Sequence, residues 1–139
     1  MKKQALALIF AVSLFSAIPN FAQTPQAPQA QQQQQVIIKP IFIAEDVAYV
    51  LTSLGTIEIK GEEVDAFLNI KNLLTTAIQK AVNEKKKNED QIMIEMSLQQ
   101  GNVMANLMQR VKLSGANAEK HKRTIDALVK AAKEAGAIK

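Results

Sequence analysis

Cysteine is absent from this chain. That excludes disulfides, thiolate metal sites and attachment of lipid to a cysteine beside an export signal. Tryptophan is absent too and tyrosine occurs once, which argues against an aromatic platform for stacking a ligand or a single-stranded nucleic acid. The one histidine, His121, cannot make a two-histidine metal site within one chain. A Ser–His–acid triad around it would need partners that no motif supplies. His121 reads as a surface side chain. No nucleotide, metal or catalytic motif stands out, so the chain reads as non-catalytic and without a cofactor.

What is present is aliphatic: 47% of the 139 residues are hydrophobic, enough for a core without covalent staples. The first residues have the form of an export signal. Lys2 and Lys3 precede the uncharged run Ala5–Ala17, Pro19 ends it, and Ala22 is a small residue suited to cleavage. The run is too short for the ~20 residues of a membrane span. Residues 1–22 are therefore expected to be a secretory signal, leaving an exported protein, periplasmic or secreted, with no stable membrane span. Its loss removes Lys2 and Lys3 and lowers the formal charge from +4 to +2.

Residues 23–35, QTPQAPQAQQQQQ, have almost no apolar side chains beyond alanine and read as a disordered Gln/Pro-rich tether. A single helical domain is expected over 36–139. Val36–Ile43 is apolar and β-branched, but Pro40 removes a backbone donor, so it reads as an edge strand or a strap. Val47, Val50, Leu51 and Leu54 recur at helical spacing, giving a first helix over Glu45–Leu54 that Gly55 ends.

The stretch from Gly55 to Leu74 is the one around which the rest of the chain is organised. An extended arm, Ile57-x-Ile59, leads through Gly61 into a second helix whose first turn carries Glu62, Glu63 and Asp65. Three adjacent carboxylates invite a metal reading, but acids are favoured at a helix start and no histidine is near in sequence. The stripe of this helix is broad, from Val64, Phe67 and Leu68 to Ile78 and Ala81, and a face so wide calls for burial on more than one side. Lys85, Lys86 and Lys87 then read as a solvated helix end, and neither nucleic acid nor a membrane is expected as a partner.

Asn88-x-x-Gln91 has the form of a cap for a third helix, with Ile92, Met96, Val103, Leu107 and Val111 as its core stripe. Ile92, Ile94, Met96 and Leu98, however, alternate with the period of a strand. Good helix formers favour the helix. The arm recurs 54 positions on as Val111-x-Leu113-Ser114-Gly115, before a last helix over Ala116–Glu134. The fold expected is mainly α: a small bundle of about four helices built as two helix–extended arm–helix units. The alternative is α+β, with Val36–Ile43 and Gln91–Leu98 as paired strands.

Charge is unevenly spread. Residues 36–66 hold two lysines against six acids, a net of −4, whereas residues 110–139 hold eight basic residues against three acids, a net of +5. The two stretches would attract one another, within the molecule or between copies, unless both are solvated helix faces. The function that fits is binding of another protein or self-assembly, including a homo-oligomer. The candidate surface comprises Met93, Met96, Met104 and Met108 with Lys120, Lys122 and Arg123. A holdase-like periplasmic chaperone with methionine-lined helix faces is the alternative, since flexible thioethers suit varied apolar partners.

Overall fold

The computed structural model describes residues 35–139; the signal reading and all of the tether but Gln35 lie outside them. Strands β1 (Ile37–Ile38) and β2 (Ile41–Ile43) run straight into helix α1 (Ala44–Leu54). An arm and a short 3-10 turn, Gly61–Glu63, lead to α2 (Val64–Asn83). Strands β3 (Gln91–Met93) and β4 (Met96–Ser97) run into α3 (Leu98–Met108), and α4 (Gly115–Glu134) closes the chain. The molecule is thus mainly helical with two helix–arm–helix units, and the two apolar stretches in front of them also pair as strands.

The pairing is antiparallel: Ile37 lies opposite Ser97, Ile38 opposite Met96, Ile41 opposite Met93, Phe42 opposite Ile92 and Ile43 opposite Gln91. At the midpoint the Ile94 amide donates to the Pro40 carbonyl at 3.1 Å. The reciprocal bond would need an N–H that proline lacks, so one ribbon is divided into two short ladders. The ends are extended by the Leu98 amide on the Val36 carbonyl and the Ala44 amide on the Asp90 carbonyl. Alternation then decides what is buried. Ile38, Pro40 and Phe42 face the core with Ile92, Ile94 and Met96, while Ile37, Lys39, Ile41, Met93 and Glu95 face out.

The expected cap at Asn88 is therefore not where the third helix begins. Gln91–Ser97 is extended, and α3 starts at Leu98 behind Ser97, whose hydroxyl accepts from the Gln100 amide while the Gln100 side chain accepts from the Ser97 amide. This reciprocal box satisfies two donors that would otherwise be orphaned at the helix start. Met96 and Ile92, expected on a helix stripe, are core residues of the ribbon instead.

The two halves repeat each other. Helices α1 and α3 both have 11 residues and start 54 positions apart, at Ala44 and Leu98. The Gly61 turn that opens the second helical segment and the Gly115 start of α4 have the same offset. Pro40 and Ile94 face each other in the ribbon and are also 54 apart, as only a pair on a two-fold axis is. The pair Ile38–Met96 maps by that axis onto Ile92–Phe42, its counterpart across the ribbon. One half therefore relates to the other by a pseudo-two-fold through the centre of the ribbon.

Packing obeys the same symmetry. Helices α1 and α3 touch each other, α2 packs on both of them, and so does α4. Val50, Leu74, Met104 and Met108 are sealed from solvent at the centre, with Leu54, Ile70 and Leu107 around them. The broad stripe of α2 is covered on two sides by α1 and α3, as its width requires, yet Val64 and Leu68 stay exposed. The ends of α2 and α4 are closed alike. The Lys86 amide donates to the Ala81 carbonyl after Lys85 at φ 55°, and the Ala137 amide donates to the Ala132 carbonyl after Gly136 at φ 70°.

Candidate functional site

Opposite charge is consumed within the chain. Asp46, in the first turn of α1, is buried at 2% exposure and receives Arg123 of α4 in a bidentate pair, Nε to Oδ2 at 2.9 Å and Nη2 to Oδ1 at 2.6 Å. Lys120, one turn earlier on α4, pairs with Glu45. Arg110 at the end of α3 grips Glu63 and donates to the Glu58 carbonyl at 3.0 Å. All three pairs join the acidic stretch to the basic one. The attraction expected between them thus operates inside the molecule, with a planar guanidinium at its best-buried point.

These contacts set protonation. The Asp46 carboxylate holds the Arg123 pKa above its ordinary value. Lys120 hydrogen-bonds Glu45 and Arg110 hydrogen-bonds Glu63, and each holds its partner's carboxyl below the usual range. A depressed carboxyl contributes stability above its unfolded pKa, about 4.3 for glutamate, and loses it as pH falls through the folded value. Melting temperature is therefore expected to fall between about pH 5 and pH 3, and to fall less steeply in a Glu45→Gln/Glu63→Gln variant. Parallel curves for the two proteins would show that these pairs do not contribute.

The candidate surface residues separate on folding. Met96, Met104 and Met108 are at 2%, 0% and 0% exposure, and only Met93 reaches the surface, at 64%. Alternation along β3 and β4 turns Met93 and Met96 to opposite faces, while α3 carries the other two into the core. The chaperone reading needs a methionine-lined surface, and this folding removes three of its four members. Lys120 and Arg123 are engaged with Glu45 and Asp46, and Lys122 with Asp126 on its own helix. His121 is half-buried, not a surface side chain, and its Nδ1 is enclosed.

Two features remain at the surface. On the outward face of the ribbon, Ile37, Ile41 and Met93 are 44%, 52% and 64% exposed around the Lys39–Glu95 pair, whose charged atoms are 3.2 Å apart. Adjoining it, and sharing Ile37 and Glu95, is a cavity of about 490 Å³ between the start of α2 and the starts of β1 and α3. Its polar lining includes Asp65, Asn69, Glu95, Ser97, Gln99 and Gln100. The Gln100 side-chain nitrogen donates to Asn69 Oδ1 at 2.7 Å, both residues being part of the lining. Of the three first-turn acids, Asp65 lines this cavity and Glu63 is held by Arg110. Among the described residues no group of three or more His, Asp or Glu side chains is placed to hold a metal ion.

The sequence reading did not find the cavity. Its lining comes from Gln35, the ribbon, α2 and α3, so it exists only once the strands pair. The signal available was in the repeat, where Ala66 and Asn69 stand 54 positions before Lys120 and Arg123. No helix among the described residues is long and apolar enough to cross a membrane. Comparison with protein-family models, curated proteins and solved structures finds no match.

Proposed function

We propose that this chain is an exported, non-catalytic binding protein whose partner, another protein or a second copy of itself, covers the outward face of the ribbon. The observation that supports this is the exposure of Ile37, Ile41 and Met93 together on one face of an otherwise well-buried ribbon. Large apolar side chains gathered on one surface favour a protein contact, and burying them releases about 25 cal/mol per Å² of apolar area. Val64 and Leu68 of α2, on the helix whose first turns border the cavity, add apolar area. The non-catalytic reading rests on the sequence, with its lone histidine and lack of cysteine. Export rests on the signal-like first 22 residues.

Sedimentation velocity on the protein, with affinity capture from the exported fraction, tests the reading. An Ile41→Glu/Met93→Glu variant places charge on the ribbon face at two outward positions. It is expected to keep its far-UV circular dichroism and to lose at least about tenfold in self-association or capture, which corresponds to about 1.4 kcal/mol. Association or capture equal to that of the unaltered chain would rule out the ribbon face as the contact.

A further inference from the structure

The pseudo-two-fold places each half's second helix against the first turn of the other half's first helix. In one such contact, α4 presents Lys120 and Arg123 to Glu45 and Asp46. In the other, α2 presents Ala66 and Asn69, at the matching positions, to Gln99 and Gln100 of α3. The Asn69–Gln100 hydrogen bond, at 2.7 Å, is the counterpart of the Arg123–Asp46 pair, made by shorter and uncharged groups. Alanine for lysine and asparagine for arginine remove two long side chains, and the cavity of about 490 Å³ lies where they would be.

The cavity's own chemistry selects what enters. Its formally charged lining residues are Asp65 and Glu95, both carboxylates. Glu95 shares its charge with Lys39, but that pair is open to water, with side chains 65% and 59% exposed. Water and salt weaken such a contact, so it yields readily to a better donor. The Gln99 amide adds an acceptor oxygen to the same lining, whereas the Gln100 amide is held between the Ser97 amide and Asn69. A planar group with several N–H donors fits acceptors arranged around a cleft, and in the matching contact that group is a guanidinium.

We propose that the cavity is a binding site for a guanidinium, supplied as an arginine side chain by the protein partner. The arginine would stand in the first half where Arg123 stands in the second, so the partner completes a symmetry that the chain leaves unfilled. The proposal rests on the binding-protein reading and names the chemistry of that contact.

The test is a titration of the ¹⁵N-labelled protein with N-acetylarginine amide, monitored by amide chemical shifts. N-acetylcitrulline amide, of the same shape without the charge, is the control. The arginine compound is expected to move the signals of Asn69, Ser97, Gln99 and Gln100 with a dissociation constant of about 1–10 mM, reasonable for a single side chain. The citrulline compound is expected to bind at least about threefold more weakly, and Asp65→Asn to weaken the arginine compound by a similar factor. An Ala66→Lys/Asn69→Arg variant, which fills the cavity as the other half is filled, is expected to abolish the shifts while its spectrum stays folded. Absence of shifts up to about 50 mM, or equal binding of citrulline, would overturn the proposal. The probe needs no protein partner, so the two readings fail separately. Shifts without capture remove the protein partner and leave the guanidinium site; capture without shifts removes the arginine site alone.

Discussion

Leu74→Ala is expected to cost about 2–5 kcal/mol, the range for emptying a sealed leucine site. Leu74 has no exposed surface and lies on the face of α2 that packs against both α1 and α3. Removing its isobutyl group takes away transfer energy and leaves a hole where three helices meet, which a rigid bundle collapses only in part. A domain of this size has about 5–15 kcal/mol in total, so the variant approaches marginal stability. Urea denaturation monitored by circular dichroism should show a lower midpoint with an unchanged slope. Leu74→Met keeps the volume and is expected to lose less than about 1.5 kcal/mol. Its matching residue in the other half, Leu128, is 5% exposed, so Leu128→Ala is expected to cost less than Leu74→Ala. Near-equal stability of Leu74→Ala and the unaltered chain would contradict the packing described.

The second large effect is expected at Gly101, in the first turn of α3, and in the opposite direction of volume. A Cβ there would lie 2.7 Å from Ile38 Cδ1 and 3.8 Å from both Leu128 Cδ2 and Met96 Sδ. Ile38 is sealed at 2% exposure, so its methyl cannot swing into solvent to make room. The matching position in the first half is Val47, also buried, so the two halves fill this place differently: one with a side chain of α1, the other with Ile38 brought against bare backbone. Gly101→Val makes the halves alike in sequence and is expected to cost about 1–3 kcal/mol through overpacking. The gain from replacing a helical glycine, at most about 1 kcal/mol, works against this loss. Shortening the obstruction with Ile38→Ala should recover part of the stability in the double variant, a non-additivity that distinguishes a steric clash from an effect on helix propensity. A Gly101→Val protein more stable than the parent would show that the close approach to Ile38 is not there.

The positions of α1 and α4 were legible because their signals are local. Val47, Val50, Leu51 and Leu54 place α1 to within one residue, and the arm before Gly115 places α4 equally well. The stretch from Gln91 to Ser97 carried two conflicting signals. Methionine, glutamine and glutamate favour a helix, but Ile92, Ile94 and Met96 alternate, and alternation prevailed because Ile38, Pro40 and Phe42 supply a matching buried face across the ribbon. Propensity is a property of a segment alone, whereas pairing depends on a segment some fifty residues away. The same limit applied to the methionines: the phase of β3 and β4 turns Met93 out and Met96 in, while α3 buries Met104 and Met108. The charge asymmetry was legible as a total, but its resolution into Asp46–Arg123, Glu45–Lys120 and Glu63–Arg110 needed the fold.

The ribbon through Pro40 and Ile94 also constrains when the protein can form. A chain is made from its N-terminus, and the strand of the first half finds its partner only when residues up to Leu98 have emerged. Until then Ile38 and Phe42 have no ladder to join and α2 lacks α3 beside it. Neither half can act as a finished nucleus for the other. Folding is therefore expected as one late event after synthesis, set by the closing of long loops, and not as two successive ones. For a chain proposed to be exported, that delay has a consequence: the fold cannot close while the second half is still being made.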